Sequence, residues 1–338
     1  MIKPHALKVG DTVGVVAPSD AVERKGVEKS LGVVKAWGLK VKVGGHVYAK
    51  VGDFMAGTAE ERMEDLKAMI YDDEVKAVWA ASGGYAVTEV MPVFNRETIE
   101  YLKSHPKWFV GYSDVCLILN VMTSLGMVSV MGPNIWGLDE WDKSGLEMLR
   151  KVLFGPPSRE ASEGYGGIGT SANWKSGLAG VAEGRVVASN LELLILSFGT
   201  RFDPIMHGEG DILLGLEELD IDKSMLQRQI DVILNHKRTK RIKGVIVGRL
   251  TNILEKSYPE WGMKVTPEEL IRGRVKKFGV PLAFCGDFGH PDWAYGNFQG
   301  IKRLFHNRQF YPLVNGVRAR LTVGEECKLE YLEEVGVG

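Results

Sequence analysis

One serine stands where it could act as a nucleophile. The stretch FVGYSDVCLILNVMTSLG, residues 109–126, begins with a β-rich run, turns at Gly-Tyr-Ser-Asp and continues as an apolar helical pattern. A tight strand-to-helix turn exposes the hydroxyl of Ser113, and the helix N-terminus favours negative charge beside it. The hydrolase elbow usually reads GxSxG, so Val115 at the fifth position makes the match partial. The same serine also suits a helix N-cap.

Two other segments supply the residue types that activate a serine, since the nucleophile needs a base and the base needs an orienting acid. The run LLGLEEL places Glu217 and Glu218 within an apolar strand, and alternation predicts that one of them points inward and needs a partner. The alternative is an edge strand with both carboxylates in solvent. The run CGDFGHPDW places His290 on a turn after a strand, either over the sheet end or in a surface loop.

The elements around the serine follow a repeating pattern. Strand and helix signals alternate, beginning with strand TVGVVAPS, helix VEKSLGVVKAWG and strand KVKVGGHV. This alternation predicts a mostly parallel sheet covered by helices, in which ligands bind at the carboxyl ends of the strands. Three sharp strand ends are expected there: Pro18-Ser19, Gly83-Gly84-Tyr85 and Gly111-Tyr112-Ser113.

The length of 338 residues suits two domains better than one core. The second half is also mixed α/β, and its last segments, RARLTV and CKLEYLEE, predict a terminal hairpin. A run rich in Gly, Ser and Pro separates the halves and predicts a linker. We therefore predict an N-terminal α/β domain in residues 1–150, a linker in residues 151–180 and a C-terminal domain in residues 181–338.

Composition excludes several classes of protein. The formal net charge of −1 creates no global field that would draw the chain to nucleic acid or to an anionic membrane. No stretch approaches the ~18 apolar residues of a membrane span, and TVGVVAP is short for a signal-peptide core. Three cysteines without CxxC spacing argue against a disulfide framework and fit a reducing compartment. We expect a cytoplasmic protein.

The sequence contains no motif in the context that would indicate a cofactor or a metal site. GYGGIG at residues 164–169 matches GxGxxG, but it follows no predicted strand and opens no predicted helix. The sequence has no Walker motif and no HExxH, and its seven histidines show no ligand spacing. We expect neither a cofactor nor a metal.

The order of the motifs is more specific than any one of them. Along the chain stand VGVVAPS, GTAEERMEDL, SGGY, GYSD, GPN, SNLELLILSFGT, LLGLEELDIDKSMLQRQI, IKGVIVGRL and FGH. Over nearly its whole length the chain thereby resembles the LD-carboxypeptidase family of serine peptidases, which also contains the microcin C immunity peptidases. The resemblance implies an N-terminal parallel-sheet domain of the flavodoxin or Rossmann type, a smaller C-terminal β-rich α/β domain, and a homodimer.

The resemblance also implies roles for individual residues. The catalytic triad consists of Ser113, His290 and Glu217 rather than Glu218. The other implied positions are the oxyanion-hole N–H groups of Asp114 and Gly84 and the substrate contacts Tyr85, Asn134 and Asn190. Departures from the family pattern, such as Ser82 before the Gly-Gly turn and Lys223 after the glutamate strand, lie outside the triad.

The implied activity is that of a serine peptidase or amidase that cleaves a peptide amide near a free carboxylate through an acyl-enzyme. One alternative is an immunity-type peptidase that cleaves aminoacyl-nucleotide amides. A second is a non-catalytic protein that binds a small ligand in the cleft, with Ser113 as a helix cap. A third, a cysteine nucleophile, is disfavoured because Cys116 falls in the first turn of the predicted helix rather than at the elbow.

Overall fold

Two sheets organise the chain. The computed structural model describes residues 1–155, 174–254, 264–293, 305–306 and 309–338. The GYGGIG run and residues 156–173 of the predicted linker lie outside these ranges.

The first sheet is parallel except at one edge. Its six strands lie in the order β13 (Leu313–Asn315), β5 (Ser129–Met131), β4 (Trp108–Gly111), β3 (Val75–Ala80), β1 (Thr12–Val16) and β2 (Lys40–Val43). Only the pairing of β13 with β5 is antiparallel among them. The accompanying helices are α1 (Arg24–Ala36), α2 (Ala59–Tyr71), α3 (Arg96–Ser104), α4 (Cys116–Ser124) and α5 (Lys143–Phe154). Strand β4 is buried along its whole length, as in a sheet covered on both faces.

Local sequence determines where α2 begins. The Thr58 side chain accepts the N–H of Glu61 at 3.3 Å, and the Glu61 carboxylate accepts the N–H of Thr58 at 2.8 Å. This reciprocal pair is the capping box that the spacing Thr-x-x-Glu favours. The helix then buries Leu66, Met69 and Ile70 against the sheet.

The second sheet is mixed. Its seven strands lie in the order β15 (Cys327–Tyr331), β14 (Arg318–Val323), β7 (Gly180–Asn190), β8 (Ile212–Leu219), β9 (Ile242–Thr251), β10 (Leu282–Cys285) and β6 (Trp174–Leu178). The four strands from β7 to β10 are parallel, and the outer pairings are antiparallel. The remaining elements are α6 (Leu191–Leu196), α7 (Lys223–Leu234), α8 (Pro267–Val275) and the small pair β11 (Asp292–Trp293) with β12 (Phe305–His306). The predicted terminal hairpin is confirmed as β14 and β15.

The two sheets are joined by a strand from the end of the chain. Strand β13 belongs to the second half of the sequence but completes the edge of the first sheet. Its Asn315 side chain accepts the N–H of Ala188 at 2.6 Å and donates to the carbonyl of Ala188 at 3.0 Å, which fixes β7 beside β13. Buried apolar residues of both sheets form one cluster. The predicted fold class, a parallel-sheet unit plus a β-rich α/β unit, is confirmed.

Candidate active site

Ser113 lies two residues after the end of β4 in a strained backbone conformation. Its φ is +66°, in the left-handed region that non-glycine residues rarely adopt. The serine starts a single 3-10 turn that leads into α4, so a half-buried side chain lies at a helix N-terminus. The Asn134 side chain fixes the preceding residue, because it accepts the N–H of Tyr112 at 3.2 Å and donates to its carbonyl at 3.4 Å.

The His290 imidazole bridges the serine and a glutamate. Its Nε2 lies 2.9 Å from the Oγ of Ser113, and its Nδ1 lies 2.6 Å from the Oε2 of Glu217. The His290 backbone N–H also donates to Oε2 at 3.1 Å. His290 is only 5% exposed, so its ring lies over the sheet end rather than in a surface loop. A carboxylate on Nδ1 favours the tautomer in which Nε2 is free to accept the serine proton.

Both glutamates of β8 are buried, which corrects the expectation that one of them points inward and the other outward. Seven of the eight residues of β8 are buried, so both faces of the strand are covered, and the strand is central in its sheet. Glu217 contacts His290, while Glu218 on the opposite face accepts the side-chain N–H of Asn190 at 3.1 Å and the backbone N–H of Glu192 at 3.0 Å. The alternative of an edge strand with wet carboxylates is wrong.

The two carboxyl groups differ in pKa because their partners differ. Burial acts to raise the pKa of Glu217, but the imidazole of His290 and its hydrogen bonds outweigh burial and hold that pKa below its usual range. Burial, with the neighbouring charge of Glu217, raises the pKa of Glu218 to about 7. Glu217 is therefore the carboxylate suited to stabilise an imidazolium.

The Gly83-Gly84 turn lies against the serine. A Cβ on Gly83 would be 2.7 Å from the Oγ of Ser113 and 3.3 Å from the backbone nitrogen of Asp114. Gly84 has a φ of +141°, and among the described residues its N–H has no hydrogen-bond partner. The N–H of Asp114 belongs to the first helical turn, where backbone donors have no partner within the helix. The two backbone donors, the N–H groups of Gly84 and Asp114, thus belong to segments that adjoin the Ser113 side chain.

The three predicted substrate contacts are placed differently. Tyr85 is 82% exposed next to Gly84, and its ring centroid lies 6.1 Å from that of Phe54, another exposed aromatic residue. Asn134 is buried and engaged with Tyr112, as described above. Asn190 is buried as well, where it caps α6 through the N–H of Leu193 and bonds to Glu218. The structure therefore brings Tyr85 to the surface of the site and uses both asparagines as supports of neighbouring elements.

Two residues of β9, Arg249 and Thr251, hold the histidine loop, residues 288–290, and neither was predicted from the sequence. Arg249 donates from Nη1 to the carbonyl of Gly289 at 2.8 Å, and its N–H donates to the carbonyl of Phe288 at 3.0 Å. Thr251 donates its hydroxyl to the carbonyl of His290 at 2.6 Å. Both are polar residues inside the apolar run VIVGRLT, and a polar side chain in a buried strand needs a partner. The same pattern pointed to the glutamates of β8.

The environment of Cys116 is unsuited to nucleophilic chemistry. Its thiol is fully buried in the first turn of α4, and burial raises the pKa of that thiol far above its ordinary value.

No helix within the described ranges is both long and apolar enough to span a bilayer.

Comparisons with known proteins agree with the motif order. The model of the LD-carboxypeptidase N-terminal domain matches residues 13–132, and that of the LD-carboxypeptidase C-terminal domain matches residues 183–300. The "Probable murein peptide carboxypeptidase" of Bacillus subtilis is 30% identical over 249 residues, which cover 72% of this chain and 74% of the relative. The "Murein tetrapeptide carboxypeptidase" of Pseudomonas aeruginosa is 24% identical over 300 residues, which cover 84% of this chain and 91% of the relative.

A solved structure shares the fold. MccF in complex with glutamyl sulfamoyl guanosine matches with a TM-score of 0.78 and 16% sequence identity, over 99% of this chain and 100% of that chain. At this identity the likeness shows a common architecture of two sheets.

Proposed function

The chain belongs to the LD-carboxypeptidase family of serine peptidases, and from this premise we propose that Ser113, His290 and Glu217 are its catalytic triad. The observation that carries the proposal is the continuous hydrogen-bond path from the serine hydroxyl through the imidazole to a buried carboxylate. The left-handed backbone of the serine and the adjacent Gly-Gly turn support it further.

The proposed mechanism follows from this arrangement. His290 Nε2 takes the proton of Ser113 as the serine oxygen attacks an amide carbonyl. Glu217 holds the ring in the productive tautomer and stabilises the imidazolium. The N–H groups of Asp114 and Gly84 donate to the tetrahedral oxyanion, at about 3 kcal/mol for each donor. His290 then protonates the leaving amine, and water releases the acyl-enzyme by the same steps.

The proposed substrate is a peptide with a free carboxylate beside the cleaved amide, namely the L,D bond of a murein tetrapeptide, with release of D-alanine. The names of the two carboxypeptidase relatives support this choice. A second candidate is an aminoacyl sulfamoyl or phosphoramidate nucleotide, which the shared fold with MccF favours. Tyr85 is the proposed direct contact with substrate, and Asn134 and Asn190 are proposed to act from the elements that they hold.

The experiment that tests this function compares products. Purified protein and its Ser113→Ala variant are incubated with murein tetrapeptides that end in an L,D or a D,D bond, and with an aminoacyl sulfamoyl-adenosine. Mass spectrometry is expected to show D-alanine from the L,D peptide with the wild type, and none with the variant. Cleavage of the nucleotide substrate instead of the peptide would select the second candidate. Absence of every product, together with no covalent labelling of Ser113 by a serine-directed electrophile, would indicate a binding protein.

Three coarser features complete the proposal. We propose the division into residues 1–150, 151–180 and 181–338, in which the linker range includes the end of α5 and strand β6 of the second sheet, and β13 returns to the first unit. A homodimer rests on the family resemblance, and light scattering after size exclusion tests it by mass. A cytoplasmic location is supported by the three free, buried cysteines, which suit a reducing compartment. Fractionation of cells that produce the protein tests the location.

A further inference from the structure

Two buried side chains outside the triad meet beside the nucleophile. Ser19, which follows β1, is fully buried and donates its hydroxyl to Oδ2 of Asp114 at 2.5 Å. Asp114 is the residue after Ser113, and its side chain is 6% exposed. This bond connects the end of β1 with the start of the helix that carries the nucleophile.

Both side chains also bind one loop segment, residues 83–87. The N–H of Ala86 donates to Oγ of Ser19 at 2.9 Å, and the N–H of Val87 donates to Oδ2 of Asp114 at 2.9 Å. At the other end of the segment, the N–H of Asp20 donates to the carbonyl of Gly83 at 3.1 Å. The segment is therefore fixed on both sides of Gly84, whose own N–H is left without a partner in the described structure.

The fit between the segment and Ser19 is close. A Cβ on Gly84 would lie 2.0 Å from Oδ1 of Asp20 and 2.6 Å from the Oγ of Ser19, and a Cβ on Gly83 would lie 2.7 Å from the Oγ of Ser113. Because Ser19 accepts the N–H of Ala86 and, together with Asp20, packs against Gly84, we expect loss of its hydroxyl to change where Gly84 sits relative to Ser113. An oxyanion hole works only when its donors are held within about 0.5 Å of the productive position.

We propose that the hydroxyl of Ser19 and the carboxyl group of Asp114 are positioning residues that set the distance between the two oxyanion-hole donors. The bond between them ties the Gly84 donor, which belongs to the loop after β3, to the Asp114 donor, which belongs to the helix after β4. The inference rests on the proposed function, because it assigns a purpose to residues around the same oxyanion hole.

The chain offers a matched control for Ser19. Ser30 is also fully buried, its hydroxyl donates to Oδ1 of Asp139 at 2.6 Å, and it accepts the N–H of Gly137 at 3.1 Å. The two serines thus make the same kind of link, from a carboxylate to a backbone donor. Among the described residues, Ser30 bonds to Asp139 and Gly137 and makes no hydrogen bond to the triad or to residues 83–87, so its replacement measures the structural cost alone.

The test measures how fast diisopropyl fluorophosphate modifies Ser113. In this reaction the serine oxygen bonds to phosphorus, fluoride leaves, and the serine proton passes to His290, while a phosphoryl oxygen takes up negative charge in the oxyanion hole. The maximal rate constant of labelling and the half-saturating reagent concentration are determined by intact-mass spectrometry. The proteins compared are the wild type, Ser19→Ala, Ser30→Ala, Asp114→Ala and Asp114→Asn, each also characterised by thermal unfolding.

We expect Ser19→Ala and Asp114→Ala to lower the maximal rate at least about ten-fold, since misplaced donors lose transition-state contacts, with little change in the half-saturating concentration. Ser30→Ala is expected to lower the melting temperature as much as Ser19→Ala does and to label at the wild-type rate. Asp114→Asn keeps an oxygen that accepts from Ser19 and Val87, so it should recover part of the rate that Asp114→Ala loses.

The outcomes separate the two levels of the account. If Ser113 is labelled in the wild type and Ser19→Ala and Ser30→Ala are both labelled at the wild-type rate, the positioning roles are overturned and the proposed triad is left intact. Equal losses of rate in Ser19→Ala and Ser30→Ala would overturn those roles too, because the effect would be structural. A wild-type protein that the reagent does not modify would overturn the proposed triad and the inference with it.

Discussion

The Nε2 of His290 lies 2.9 Å from the Oγ of Ser113, although 177 positions separate the two residues in the sequence. The serine follows a strand of the first sheet, and the histidine follows a strand of the second. The pair therefore exists only when both sheets are folded and docked. Strand β13 and the side chain of Asn315 hold that docking.

Removal of the base should nearly abolish turnover. His290→Ala is expected to lower kcat on the L,D tetrapeptide by at least about 10³-fold, because the serine hydroxyl then has no proton acceptor. The variant should keep its fold, since the loop carbonyls are still held by Arg249 and Thr251. Circular dichroism checks the fold. A loss of less than ten-fold in a folded variant would contradict the assignment of the base.

The charge of Glu217 should matter more than that of its neighbour. Glu217→Gln keeps the shape but removes the negative charge behind the imidazole, so kcat should fall by about 10³-fold or more. Glu218→Gln alters the adjacent residue on the opposite face of β8 and is expected to cost less than ten-fold. The ratio of the two kcat values is the measurement. Equal losses would mean that the effect comes from the strand rather than from the triad.

Glu218 should make stability depend on pH. Its pKa is raised from 4.5 to about 7 in the folded protein, so the unfolded chain ionises first as the pH rises. Below the unfolded pKa the group is neutral in both states, and above the folded pKa its ionisation penalises the folded state by on the order of 3 kcal/mol. Relative to Glu218→Gln, wild-type stability should therefore fall between about pH 4 and about pH 8. Urea unfolding at both pH values tests this, and a difference that is independent of pH would refute it.

Gly289 should tolerate no side chain. Its φ is +93°, and a Cβ there would lie 2.7 Å from the Cβ of Glu217, so Gly289→Ala must displace the acid or the histidine loop. We expect kcat to fall at least about ten-fold. Gly279 is the control, since its φ is +65° but a Cβ would meet nothing within 4 Å. Gly279→Ala should cost about 1 kcal/mol of stability and leave kcat unchanged. Similar kinetics for the two variants would contradict the close approach.

Local signals were predictable from the sequence, and contacts between distant elements were less so. The capping box at Thr58 depends on residues three positions apart, so its spacing was sufficient. The burial of Glu218 depends on both faces of β8 being covered, which alternation within one strand cannot reveal. Strand β13 has three residues, too few for a periodic signal. A feature formed within one segment can therefore be predicted from its own residues, whereas a feature that needs several distant segments cannot.

The candidate site shows the same division. Ser113, Glu217 and His290 were selected by residue type, strand ends and the order of the motifs. The link between Ser19 and Asp114 was not, because a serine beside a proline at a strand end does not indicate its partner 95 residues away. The hydrogen-bond partners of Asn134 and Asn190 could not be predicted for the same reason. Asn134 bonds to the backbone of Tyr112, and Asn190 bonds to Glu218 and to the N–H of Leu193 at the start of a short helix.

The most direct measurement of the central claim is the position of the covalent adduct that a fluorophosphonate leaves on the active protein. Peptide mapping by tandem mass spectrometry should place one adduct on Ser113 in the wild type and in Cys116→Ala, and none in His290→Ala over the same time. An adduct on another residue, together with undiminished hydrolysis of the L,D tetrapeptide by Ser113→Ala, would contradict the account.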